Sequence, residues 1–115
     1  MNFDTEPNTG KNISVDIIIP TYRPGAEFAK LIRSLALQVM PAENIIVVNT
    51  EEKYWDESFE KEYDGLRVIH IKKEQFNHGT VRHAASLESK ADILVFMTQD
   101  AVPADEHLIE NLVKP

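Results

Sequence analysis

The sequence predicts an α/β domain built on a Rossmann-like parallel sheet with helices on both faces. Three observations predict it. Segments of strand character recur along the chain, at residues 15–19, 45–48, 67–71 and 93–97, the second and fourth of them wholly apolar. Segments of helical character separate several of them, which is the alternation of a parallel sheet with right-handed crossovers. Polar residues follow three of the runs, as Thr21-Tyr22-Arg23, Asn49-Thr50-Glu51 and Thr98-Gln99-Asp100. An open α/β sheet binds ligands outside the carboxyl ends of its strands, at the point where strand order reverses.

Residues 1–14 are polar, with Pro7 and Gly10, and read as a disordered lead-in. The domain is expected over residues 15–115. Residues 15–19 form a β-branched run with a hard stop at Pro20, and Pro24-Gly25 marks a loop. Residues 26–39 are the clearest helix: Phe28, Leu31, Ile32, Leu35, Ala36 and Val39 make one apolar stripe, and Pro41 ends it. Residues 45–48 are an all-apolar second strand. Residues 51–65 are strongly acidic, with Trp55, Phe59 and Tyr63 recurring every four residues. This spacing suits a short amphipathic helix, either an acidic recruiting surface or an aromatic stripe laid against the sheet. Residues 67–71 are the third strand, residues 79–89 a helix with a small apolar face at Val81, Ala84 and Ala85, and residues 93–97 a fourth strand buried on both faces. Asp105 can cap a last helix over residues 106–113.

Composition narrows the function classes. The chain has 115 residues, 43% of them apolar, enough for one small domain with one core. A formal net charge of −7 argues against a nucleic-acid binder. There are no cysteines, so disulfides and thiolate metal sites are excluded. No apolar run approaches the roughly 20 residues of a spanning helix, and the N-terminus lacks a signal-peptide pattern. A cytoplasmic domain is the expectation.

Two places carry candidate chemistry. Asp100 follows the fourth strand; with that strand beside the first, Tyr22 and Asp100 flank the crevice at the switch point. A carboxylate there either caps a turn or serves as a hard oxygen ligand for Mg2+ or Mn2+, with phosphate oxygens completing the shell. The second place is Phe76-Asn77-His78-Gly79-Thr80-Val81-Arg82. Gly79 would let the backbone approach a phosphate at a helix start, and Arg82 could pair with its oxygens. The alternative is an ordinary loop-to-helix junction capped by Asn77. The four histidines lack metal-site spacing, no Gly-rich phosphate loop follows the first strand, and no Ser or Cys sits in a nucleophile elbow.

Taken together, these residues resemble the N-terminal, nucleotide-binding half of family 2 glycosyltransferases, whose fold is called GT-A. Val15-Asp16-Ile17-Ile18-Ile19-Pro20-Thr21-Tyr22-Arg23-Pro24 is similar to that family's first strand and nucleotide loop. Phe76-Asn77-His78-Gly79 with Arg82 is similar to a motif of rhamnosyltransferase-like members. Residues 91–100 resemble the strand leading into the family's D-x-D motif. The resemblance covers nearly everything after residue 14. It implies that Thr21 and Tyr22 line the base and ribose site, that Gly79 and Arg82 lie near the diphosphate, and that Asp100 is the last acid of D-x-D and the metal ligand. Thr98 stands where the first acid would be. Many members carry an Asp after the second strand; here Asn49-Thr50 holds that place, with Glu51 as the nearby acidic donor-site candidate. The implied activity is transfer of a sugar, with inversion, from a nucleoside-diphosphate donor to a saccharide or lipid-linked acceptor, in polysaccharide biosynthesis. The rhamnosyl-like motif hints at a deoxythymidine-diphosphate sugar. The carboxylate that deprotonates the acceptor is expected outside this chain. On this reading the chain is a fragment, inactive alone, prone to self-association through its open half-sheet, and drawn from a protein working at the inner face of the membrane.

Two other readings compete. A receiver-like signalling or interaction module would need clustered acids after the first strand, where Pro20-Thr21-Tyr22 stands. A nucleotidyltransferase would need a Gly-rich basic loop there, and Arg23-Pro24-Gly25 is too short a match.

Overall fold

The computed structural model describes residues 13–113. The expected lead-in over residues 1–14 falls outside them except for Ile13 and Ser14. Ser14 is held: its N–H and hydroxyl donate to Asp92 Oδ2, at 2.9 and 3.2 Å.

Four parallel strands form one sheet in the order β3-β2-β1-β4. They are β1 (Val15–Tyr22), β2 (Asn44–Thr50), β3 (Leu66–Ile71) and β4 (Ile93–Phe96). Among the described residues, three α-helices accompany them: α1 (Ala26–Ala36), α2 (His78–Glu88) and α3 (Leu108–Val113). The period-two alternation of strand side chains sorts the core into two layers. Val15, Ile17, Ile19, Ile45 and Val47 face α1 and α3. Ile18, Ile46 and Val48 face Val81 and Ala85 of α2. Helices therefore cover both faces, as the alternation of the sequence predicts.

Pro20 does not stop β1. Strand residues alternate their backbone groups between neighbours. Ile18 turns its carbonyl to β4, where Met97 N–H donates to it at 2.9 Å. Pro20, two residues on, faces the same way, past the last β4 pair at Ile18 and Phe96. Its missing N–H costs no ladder bond, and β1 continues to Tyr22 in register with Thr50.

The helix α1 is shorter than its stripe suggests. Phe28, Leu31, Ile32 and Leu35 are buried, but Ala36 and Val39 are exposed. Gln38 is buried instead: its amide donates to the Asp105 carbonyl at 2.8 Å and accepts from Ile109 N–H at 3.1 Å, which docks α3. The start of α3 is also later than expected, although Asp105 does accept from His107 N–H, at 2.8 Å.

Residues 51–65 form 3₁₀ turns, Glu52–Tyr54 and Glu57–Lys61, where an α-helix was expected. Asp56 accepts from Ser58 N–H at 2.9 Å, a local bond that competes with helical pairing and holds the Asp56 carboxyl below its usual pKa. The aromatic stripe still packs inward. Phe59 stacks edge-on against Phe28 and Trp55, at 5.0 and 5.1 Å between centroids. Tyr63 is buried and donates to the Ala42 carbonyl; burial pushes its pKa up, with Asp16 adding to the shift. Gly65 packs so closely on the strand before it that an added Cβ would collide with the Glu43 carbonyl.

The expected burial of the fourth strand on both faces is corrected. Ile93 and Val95 are half-buried, but Leu94 and Phe96 are 39% and 44% exposed. β4 pairs with β1 on one edge, and α2 lies over β1 and β2, so among the described residues its second face is only partly covered and no strand pairs with its outer edge.

Candidate functional site

The strand order places a switch point between β1 and β4. From β1 the chain steps outward to β2 and β3, then returns to the other side as β4. β1 runs on from Ile19 to Tyr22 after its pairing with β4 has ended. The two chains part there, and a cavity of about 620 Å3 opens at their carboxyl ends.

One wall is the end of β1: Pro20, Thr21 and Tyr22. The opposite wall is the turn after β4: Thr98, Gln99 and Asp100, closed by a bond from Ala101 N–H to the Thr98 carbonyl at 3.1 Å. Four of the residues expected at the site, Thr21, Tyr22, Thr98 and Asp100, thus line one crevice. Its remaining lining comes from Glu27 on α1, Thr50 on β2, and Lys73 and Phe76 between β3 and α2.

Thr21 is buried and donates its hydroxyl proton to Asn49 Oδ1 at 2.8 Å. A hydroxyl keeps two acceptor lone pairs after donating. Thr21 can therefore accept from a ligand hydroxyl. Asn49 is fully buried; its amide donates to the Glu51 carbonyl at 3.3 Å and lies 3.2 Å from His70 Nδ1. Facing an amide N–H, Nδ1 of His70 takes the acceptor role in that contact.

Tyr22 is exposed at the mouth, edge-on to Tyr54 at 6.1 Å. Arg23 lies over the Tyr54 ring at 4.2 Å and donates to its hydroxyl at 2.9 Å. These contacts hold Arg23 at a left-handed φ of 49°. Desolvation opposes the Arg23 charge, Tyr22 and Tyr54 outweigh it, and its pKa lies above the usual arginine value.

The other three candidates are not among the crevice lining. Glu51 takes φ 69°, and its N–H donates to the Ile71 carbonyl at 2.8 Å. That kink carries Glu51 to a neighbouring groove shared with His70, Lys72 and Glu74. Gly79 lies in the first turn of α2, where Asn77 accepts from Thr80 N–H at 2.8 Å. A Cβ on Gly79 would approach Asn77 Oδ1 to 3.2 Å, so its smallness leaves room for the cap. Arg82 stands over the exposed Phe96 ring at 5.3 Å, beside β4.

The crevice suits a phosphorylated ligand only in part through its own charges. Lys73 is the cation among its lining residues, and Glu27 and Asp100 are the carboxylates. Among the described residues, no group of three or more His, Cys, Asp or Glu could hold a metal ion. A hard cation at Asp100 would need oxygens from a bound diphosphate and water, which is how Mg2+ is commonly held. The donor set fits a shared site of that kind.

The sequence names the strand ends, and Phe76 as the first residue of the second candidate motif, but not Glu27 on α1 or Lys73 after β3, which reach the crevice from other elements. It also gave Gln99 no role. Gln99 carries no sequence signal beyond its place in a strand-end triplet.

Comparison with known proteins adds to this geometry. Residues 16–115 match the family described as Glycosyl transferase family 2. The O-antigen chain rhamnosyltransferase RfbN of Salmonella typhimurium is 29% identical over 102 residues, 88% of this chain and 32% of its own length. The O-antigen chain rhamnosyltransferase WbaN of Salmonella anatum is 26% identical over 102 residues, 87% of this chain and 32% of its own length. The chain thus spans about a third of each of these relatives. Among solved structures, S. aureus TarS residues 1-349 in complex with UDP-GlcNAc superposes with a TM-score of 0.66 at 20% identity, over 87% of this chain and 30% of that one. That likeness is one of fold.

Proposed function

The chain belongs to glycosyl transferase family 2, and from that premise we propose that it forms the donor-binding part of an inverting sugar transferase. The donor is a nucleoside-diphosphate sugar. The observation that carries the reading is that Tyr22 and Asp100 line opposite walls of one crevice at the switch point. The names of the two Salmonella relatives favour a rhamnosyl donor, taken here as a deoxythymidine-diphosphate sugar. The acceptor is a saccharide or a lipid-linked saccharide, in polysaccharide biosynthesis at the cytoplasmic face of the membrane.

Each wall has a part in this reading. Tyr22 offers its ring to the base and ribose, and Thr21 accepts from a ribose hydroxyl. Lys73 adds positive charge on the side of the diphosphate. Asp100 would hold a divalent cation, Mg2+ or Mn2+, whose chemistry is to neutralise charge developing on the leaving diphosphate. Transfer forms a bond from the acceptor oxygen to the anomeric carbon as the bond from that carbon to the diphosphate oxygen breaks. The hydroxyl proton goes to a base, and the nucleoside diphosphate leaves with the electron pair. The proposal places that base outside the part that this chain shares with its relatives, of which it spans about a third.

Titration calorimetry tests it, with deoxythymidine diphosphate and UDP, each with and without Mn2+. Metal-dependent binding is expected, weakened about tenfold, or roughly 1.4 kcal/mol, by Asp100→Ala. A folded sample that binds neither nucleotide in a metal-dependent way sinks the assignment.

A further inference from the structure

The split between β1 and β4 leaves a problem of backbone pairing. From Ile18 onward, the residues of β1 that present their backbone groups on the β4 side are Ile18, Pro20 and Tyr22. Met97 serves Ile18. Pro20 has no N–H to leave orphaned. Tyr22 has both groups, and β4 has already ended.

Gln99 fills that place with its side chain. Its Oε1 accepts from Tyr22 N–H at 2.7 Å, and its Nε2 donates to the Tyr22 carbonyl at 3.2 Å. An amide side chain presents one acceptor and a pair of donors in a plane, so it can satisfy both groups as a neighbouring strand residue would. The partners also fix its orientation, because the N–H must meet oxygen and the carbonyl must meet nitrogen.

The consequence reaches Asp100, the next residue. Tyr22 is held on its other side by β2, in register with Thr50. The turn at residues 98–101 closes on itself, through Ala101 and Thr98. Beyond Met97, the hydrogen bonds that tie this turn to β1 among the described residues are those of Gln99. We propose that Gln99 is a positioning residue, a side-chain strand rung that fixes the Asp100 carboxylate at its span from Tyr22 and so matches the two ends of a nucleoside diphosphate. This deepens, and rests on, the donor-site reading above. Without the rung, ligand binding must order the turn, and small misplacement at such a contact is costly.

The readout is the metal-dependent gain in affinity, taken as the ratio of dissociation constants for deoxythymidine diphosphate without and with Mn2+. Gln99→Met keeps the side-chain length and removes both bonds; Gln99→Asn keeps the amide one methylene short. Both should lower that ratio at least fivefold, losing more affinity with Mn2+ than without it. A ratio equal to that of the unaltered chain, or equal losses with and without Mn2+, overturns the inference and leaves the donor-site reading standing. No nucleotide binding by the unaltered chain, or binding that ignores Mn2+, overturns the donor-site reading and this inference with it. The rung itself is read in the unaltered chain by amide hydrogen exchange. Tyr22 N–H should exchange as slowly as the interior of β1, and exchange at the rate of an open loop also overturns the inference.

Discussion

Asn49 has no exposed surface, yet its side chain joins three segments behind Thr21, which lines the crevice. It accepts from Thr21 on β1, donates to the Glu51 carbonyl beyond β2, and meets His70 on β3. A buried polar group that loses its partner costs about 1–3 kcal/mol. Asn49→Ala leaves the buried Thr21 hydroxyl without its acceptor, while the Glu51 carbonyl keeps the Tyr54 N–H, so a loss in that range, about 1–3 kcal/mol, is expected from urea unfolding. Asn49→Asp keeps an acceptor for Thr21 but sets a carboxylate oxygen against the Glu51 carbonyl. It too should lower stability at neutral pH, and an unfolding midpoint equal to that of the unaltered chain would show that the amide of Asn49 contributes nothing there.

The segment between β2 and β3 was legible by composition and not by geometry. A four-residue recurrence of Trp55, Phe59 and Tyr63 gave the inward face correctly, because packing on the sheet needs only the spacing of the rings. It did not give the backbone, because Asp56 bonds its own neighbour Ser58 and breaks the segment into 3₁₀ turns. The same division holds elsewhere. β1 and β2 were legible because burial on both faces leaves a nearly continuous apolar run. β4 has the same kind of run with one face open, so a run alone does not say what will cover it. Tyr22 and Asp100 were legible as strand ends. The rung made by Gln99 was not, since it depends on β1 outlasting its neighbour, a matter of register. The aromatic segment also yields a prediction. Phe59 is buried between Phe28 and Trp55, and truncation of a buried Phe costs about 3–5 kcal/mol. Phe59→Ala should lower stability toward that range and redden Trp55 fluorescence as water reaches the indole. An unchanged unfolding midpoint would place the segment outside the cooperative core.

The two faces of the whole sheet are covered unequally. α1, the aromatic segment and α3 close one face. On the other, α2 packs over β1 and β2 and leaves Leu94 and Phe96 partly exposed, with Arg82 leaning over the Phe96 ring. β4 is also an edge strand, and an apolar edge is a template for pairing with another chain. A partly exposed apolar face and an edge that pairs with no strand among the described residues favour burial by association, at about 25 cal/mol per Å2 of apolar surface removed from water. Self-association that increases with protein concentration is therefore expected in sedimentation velocity. Phe96→Glu is the informative variant. It removes the apolar ring, places charge on the edge, and gives Arg82 an ion-pair partner in exchange for the ring it leaned on. It should shift the equilibrium to monomer while the circular dichroism spectrum is preserved. Association that persists in Phe96→Glu would place the contact elsewhere, and the exposed Leu37 and Val102 at the other end of the α1 face would be the next surface to alter.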